Sequence, residues 1–81
     1  MYKSNVNLNS YKIFYEVASS ESISDASKRL YITQSAVSKA IKKLEDDLNT
    51  KLFYRNSKGV KLTDKGKQLL FYVNEAFNNL I

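Results

Sequence analysis

Apolar residues recur along this chain in steps of three and four, interrupted by short polar stretches, and that spacing predicts amphipathic helices. Asn7 is a good N-cap, and Leu8, Tyr11, Phe14, Tyr15 and Ala18 behind it form the stripe of a first helix. Ser19-Ser20-Glu21-Ser22 breaks the stripe and reads as a loop. Ser24 then caps a short second helix, with Asp25 in the first turn, where negative charge is favoured. Ala26 and Leu30 are its inner residues, and Ile23 packs back onto them. Tyr31-Ile32 makes a tight turn, and Thr33 caps a third helix from about Gln34 to about Leu48. Its buried stripe is Val37, Ile41, Leu44 and Leu48, and Asn49, which tolerates the left-handed conformation, ends it.

Beyond Asn49 the period changes. Residues 51–55 and 60–62 read as two short strands, and Asn56-Ser57-Lys58-Gly59 between them is a turn sequence. Thr63 and Asp64 start a fourth helix that continues to the last residue. In it Leu69, Val73, Ala76 and Leu80 have the four-three-four spacing of a helix-to-helix seam. The predicted fold is mainly α, a winged helix-turn-helix: a three-helix core, a two-stranded wing and a C-terminal linker helix. Residues 1–62 form one predicted winged unit, and 63–81 a linker helix with the spacing of a helix-to-helix seam.

Composition narrows the chemistry. With 81 residues there is one domain at most, and its core is small. No Cys and no His removes disulfide staples, disfavours a structural zinc site and takes away the commonest general base. No cofactor and no metal are expected. The longest apolar run is Leu69 to Val73, too short to span a membrane, and the first residues lack the apolar stretch of a signal peptide, which points to the cytoplasm. Formal net charge is +5, and it is concentrated: from Lys28 to Lys67 there are eleven basic residues against four acidic ones. A concentrated basic segment suits a polyanion, although a solvated lysine-rich surface has the same composition.

The outer face of the third helix carries the functional reading. With Val37 at the centre of the buried side and about 100° per residue, Ser35, Ser38, Lys39 and Lys42 fall opposite, and Gln34 sits in the exposed first turn. Amide, hydroxyl and ammonium groups match base edges in a major groove: Gln pairs with adenine, Lys with guanine, Ser with either donors or acceptors. Gln34, Ser35, Ser38 and Lys39 are the candidate base readers. Arg55 and Lys58 are the candidate wing residues for the minor groove. Ser24, Lys28, Thr33, Lys42, Lys43 and Lys61, with Arg29, are candidate phosphate contacts. Leu69, Val73, Ala76 and Leu80 are the candidate dimer seam. The spacing of Tyr11, Phe14, Tyr15, Phe53, Phe71 and Tyr72 favours core or dimer packing over base stacking; Tyr31, in the turn, stays open.

The segments Ser22-Ile23-Ser24-Asp25-Ala26-Ser27-Lys28-Arg29-Leu30, Thr33-Gln34-Ser35-Ala36-Val37-Ser38-Lys39, Leu52-Phe53-Tyr54-Arg55 and Leu62-Thr63-Asp64-Lys65-Gly66 occur in the order seen in LysR-type regulators. The chain resembles the DNA-binding region of that family from about Leu8 onward. The resemblance implies a bacterial transcription factor that binds double-stranded DNA as a homodimer. It puts the third helix in the major groove, the wing at the adjacent minor groove and the fourth helix at the dimer contact. Carried over by position, it makes Gln34, Ser35, Ser38 and Lys39 the base readers and Arg55 the wing residue. The family often has Pro at the position of Ser35, Gly at that of Asn49 and Arg at that of Lys39; Lys lacks the planar fork of Arg, which weakens discrimination there. The family also continues into an effector-binding domain, whereas this sequence stops at Ile81, so no small-molecule effector is expected on these residues.

Three rival classes remain at this level. A winged-helix protein-interaction module would show aromatic or aliphatic anchors where this helix shows polar groups. An RNA binder would meet a major groove too deep and narrow for a helix. An enzyme would need a catalytic constellation that these residue types do not supply.

Overall fold

The computed structural model describes residues 8–78. Four helices and one hairpin follow in the order α1 (Leu8–Ser20), α2 (Ile23–Leu30), α3 (Gln34–Leu48), β1 (Phe53–Asn56), β2 (Gly59–Leu62) and α4 (Asp64–Asn78). This is the predicted winged helix-turn-helix. Phe14, Val17, Val37, Ile41 and Leu52 are the largest fully buried side chains, and they draw α1, α3 and the root of the wing around one core. The Phe14 and Phe53 rings meet with centroids 5.4 Å apart.

The helix ends are set by local hydrogen bonds. α3 has the predicted bounds because both its caps act as the sequence suggests. The Ala36 amide donates to Thr33 Oγ1 at 3.0 Å, and Asn49 closes the helix at φ 52°, ψ 45°. The cap of α2 differs from expectation: it is Ser22, not Ser24. Ser22 is extended, and its Oγ accepts from the Asp25 amide at 3.0 Å, leaving Ser24 inside the first turn. The Ser-x-x-Asp spacing is a capping-box pattern, so the signal was in the sequence. The expected loop before it shrinks accordingly. α1 runs on through Ser20, whose hydroxyl donates to the Glu16 carbonyl at 2.8 Å, and only Glu21 and Ser22 separate the two helices.

The buried stripes are also partly rotated. Ile13 and Val17 belong to the core, whereas Leu8 is 71% exposed, because α1 packs against α2 and α3 on one side and against α4 on the other. Tyr15 meets Phe77 of α4 edge-on at 5.5 Å. Leu48, expected at the end of the buried stripe of α3, is exposed because the helix has by then run past the core.

The hairpin is tighter than predicted. β1 begins at Phe53, and Asn56 pairs with Gly59, so the turn proper is Ser57-Lys58. Asn56 Oδ1 accepts from the Lys58 amide at 2.8 Å. Lys51 and Leu52 are held outside the ladder instead: their carbonyls accept from Thr63 Oγ1 at 2.7 Å and the Thr63 amide at 2.9 Å. Thr63 Oγ1 in turn accepts from the Gly66 amide at 2.9 Å, so one threonine caps α4 and closes the base of the wing.

Candidate nucleic-acid interface

Two grooves gather the predicted readers except Gln34, which lines neither. The larger, an open groove of about 940 Å³, runs along the outer face of α3 and takes in Ser35, Ser38, Lys39, Lys42, Lys43 and Arg55. Gln34, Ser35 and Lys39 are exposed and Ser38 is half-buried, while Val37, Ile41 and Leu44 on the opposite side are buried. The helix therefore turns its apolar stripe inward and its polar face out. The smaller recess, about 350 Å³, lies between the start of α2 and the wing turn, where Ser22 and Ser24 stand near Arg55 and Lys58.

Ribbon geometry explains where Arg55 goes. Directly opposed residues share a face of an antiparallel pair, so Phe53, Arg55, Val60 and Leu62 lie on one side and Tyr54 and Lys61 on the other. Phe53 and Val60 are buried in the core. Arg55 extends from that same inner side past the core edge, and its Nη1 donates to Ser38 Oγ of α3 at 3.5 Å. The wing arginine and a helix reader thus touch one another.

The candidate phosphate contacts divide into two groups. Lys42, Lys43 and Lys61 lie 3.5, 3.4 and 3.6 Å from Asp46, Asp47 and Glu21, and Arg29 lies 3.7 Å from Glu16. Exposed pairs of this kind contribute at most about 1 kcal/mol each. Lys28 and Lys58 are exposed and form no such pair among the described residues. Thr33 uses its side chain to cap α3, beside the first-turn amides that suit an anion.

The seam residues on α4 do not act together. Val73 is buried in the chain's own core and Leu69 packs against that core; only Ala76 is exposed, and Leu80 lies outside the described residues. The large apolar side chains that α4 shows to solvent are Phe71 and Tyr72, 62% and 67% exposed, with ring centroids 5.6 Å apart. Of the four-three-four stripe, the two members Leu69 and Val73 therefore pack within the chain, where α4 meets α1 and β2.

Glu45 was not anticipated. Its Oε2 accepts from the Leu52 amide at 2.8 Å and the Phe53 amide at 3.3 Å, tying the end of α3 to the start of the wing. The contact spans seven and eight residues across a turn, and no local pattern announces it.

The family model for bacterial regulatory helix-turn-helix proteins of the lysR family matches residues 8–67. This chain belongs to that family. Among curated relatives, the HTH-type transcriptional regulator CzcR of Bacillus cereus is 42% identical over 73 residues, covering 90% of this chain and 25% of the relative. The HTH-type transcriptional activator AmpR of Citrobacter freundii is 39% identical over 80 residues, covering 99% of this chain and 28% of the relative. The chain therefore spans about a quarter of the length of such relatives. Among solved structures, the BenM DNA-binding domain in complex with catB site 1 DNA superposes with a TM-score of 0.88 at 29% identity, covering 93% of this chain and 83% of that one. The CbnR DNA-binding domain bound to DNA gives 0.87 at 27% identity, with coverages of 93% and 86%. The described residues correspond to the winged helix-turn-helix of lysR-family regulators, and the family is one of transcriptional regulators rather than enzymes. Among the described residues no helix is long and apolar enough to cross a membrane.

Proposed function

We infer that this lysR-family domain binds double-stranded DNA sequence-specifically in a bacterial cytoplasm, as the reading head of a transcriptional regulator. α3 enters the major groove with Gln34, Ser35, Ser38 and Lys39 at base edges, and the wing brings Arg55 and Lys58 to the adjacent minor groove. Lys28, Lys42 and Lys43 flank the groove as phosphate contacts, with the α2 start at Ser24 and the α3 start at Thr33. The observation that carries this reading is the division of α3 into a buried apolar side and an outward polar side whose Ser35, Ser38 and Lys39 line a groove with five basic and three acidic side chains. The DNA complexes of the BenM and CbnR domains, which share the fold over nearly the whole chain, support it. A protein-docking use of the same face is disfavoured, since that face carries no large apolar anchor.

The roles separate by substitution. Lys39→Ala is expected to relax base choice at one position, reducing discrimination by roughly tenfold. Lys42→Ala is expected to weaken selected and scrambled duplexes alike and to lower the salt slope by about one. Binding titrations of both variants on both duplexes check this; equal losses on the two duplexes for both variants would refute the division.

Pairing belongs to the same reading. Two copies would join through the outer face of α4, at Phe71, Tyr72 and Ala76, and set two α3 helices on an inverted repeat. Phe71→Glu with Tyr72→Glu is expected to leave a folded monomer whose affinity for a two-half-site duplex falls about a hundredfold or more. Sedimentation with a duplex titration reads both. Unchanged self-association would show that α4 does not hold the pair this way.

A further inference from the structure

Glu21 alone turns the chain between α1 and the cap of α2, at a left-handed φ of 56°. Three consecutive wing residues rest on it. The Val60 amide donates to the Glu21 carbonyl at 3.4 Å. Gly59, at φ 133°, lies so close that a Cβ there would come within 2.7 Å of the same oxygen. Lys61 Nζ stands 3.6 Å from Glu21 Oε2.

Hairpin geometry explains why Val60 needs this partner. Next to a two-residue turn, the first opposed pair exchanges both ladder bonds and the second exchanges none. Here the first pair is Asn56 with Gly59 and the second is Arg55 with Val60, so the Val60 N–H points out of the ribbon. Val60 is buried, and a buried amide without an acceptor is strongly disfavoured. The Glu21 carbonyl supplies the acceptor, and only a residue without a side chain at position 59 allows the approach. Lys61 is on the outer side of the ribbon with Tyr54, away from the side on which Arg55 reaches Ser38.

We propose that Glu21 is a positioning residue for DNA recognition: it seats the wing against the helix-turn-helix and so fixes where Arg55 and Lys58 lie relative to α3, and Lys61 serves this seat rather than a DNA phosphate. The inference rests on the DNA-reading function above and goes beyond it by assigning roles to Glu21, Gly59 and Lys61. It makes the wing a braced element, with its inner side against Ser38 and its outer edge against the α1–α2 corner.

The experiment is a duplex titration over a range of salt, run on the whole chain. Absence of duplex binding by the unaltered chain sinks the DNA-reading function and this inference with it; the variants test the inference alone. Gly59→Ala is expected to weaken binding about tenfold, the scale of coupling between contacting groups. In a Lys58→Ala background the same change is expected to weaken it only about threefold, because the displaced tip no longer carries its own contact and Arg55 alone is left misplaced. A loss of equal size in both backgrounds overturns the proposal. A charge exchange tests the seat without touching the glycine. Lys61→Glu is expected to weaken binding several-fold, and Glu21→Lys combined with Lys61→Glu, which leaves net charge unchanged, is expected to return it to within about twofold of the parent. If the exchange stays as weak as the single variant, with a salt slope lower by about one, Lys61 is a phosphate contact and the proposal fails.

Discussion

Raising the salt from about 50 to about 200 mM is expected to weaken the duplex complex by about a thousandfold or more. Each copy offers Lys42, Lys43, Arg55 and Lys58 along the α3 groove and the wing recess, and two copies exceed the six contacts at which so steep a loss is reached. The ion pairs to Asp46 and Asp47 do not remove Lys42 and Lys43 from that count. Both are exposed, both are as salt-sensitive as the phosphate contacts, and exchanging a single carboxylate for a strand of phosphates favours the DNA. The check is the slope of log affinity against log salt. A slope shallower than about −3 would mean fewer than four phosphates engaged by the pair, too few for the docking described above.

Gly66→Ala is expected to destabilise the fold by about 3 kcal/mol, the upper end of overpacking costs, although Ala is ordinarily the better helix former. The position is in the first turn of α4, and a Cβ there would collide with the Leu52 carbonyl oxygen and crowd the Leu62 side chain. That carbonyl is not free to retreat, because it accepts from the Thr63 amide, and the Gly66 amide donates to Thr63 Oγ1. The added methyl therefore strains the joint between wing and linker helix. At about 4–8 °C per kcal/mol for a domain of this size, the melting temperature should fall by more than about 10 °C. Lys67→Ala, one residue further on and exposed, is the control and should shift it little. A Gly66→Ala protein that melts with the parent would show that the approach of Leu52 is not tight in solution.

Local chemistry explains which parts of the molecule were legible in the sequence. The bounds of α3 follow from Thr33 and Asn49, each of which acts within a few residues of itself. The polar face of that helix follows from angular position alone. Ser22 is legible too, through its spacing to Asp25, although Ser24 stands directly beside that acid and competes for the role. What the sequence did not carry is who packs on whom. α1 is buried from two sides, so its stripe is broader than one face, and Leu69 and Val73 of the α4 stripe are spent inside the chain. Glu45 and Glu21 look like ordinary surface acids, and only the closing of the chain brings one to the Leu52 and Phe53 amides and the other under the wing. The predicted wing residue Arg55 is where the strand pattern puts it, but its contact with Ser38 depends on the twist of the hairpin over α3.

On the proposed docking, the 3.5 Å contact between the Arg55 guanidinium and Ser38 Oγ couples the bases chosen by the helix to those chosen by the ribbon. An operator letter that draws Ser38 into a hydrogen bond alters the anchorage of the arginine, and a tract that captures the arginine alters the rotamer left to Ser38. On the proposed docking, the letters under α3 and those under the wing form a correlated word. Scoring each site by independent base weights would misrank operators in which both change together.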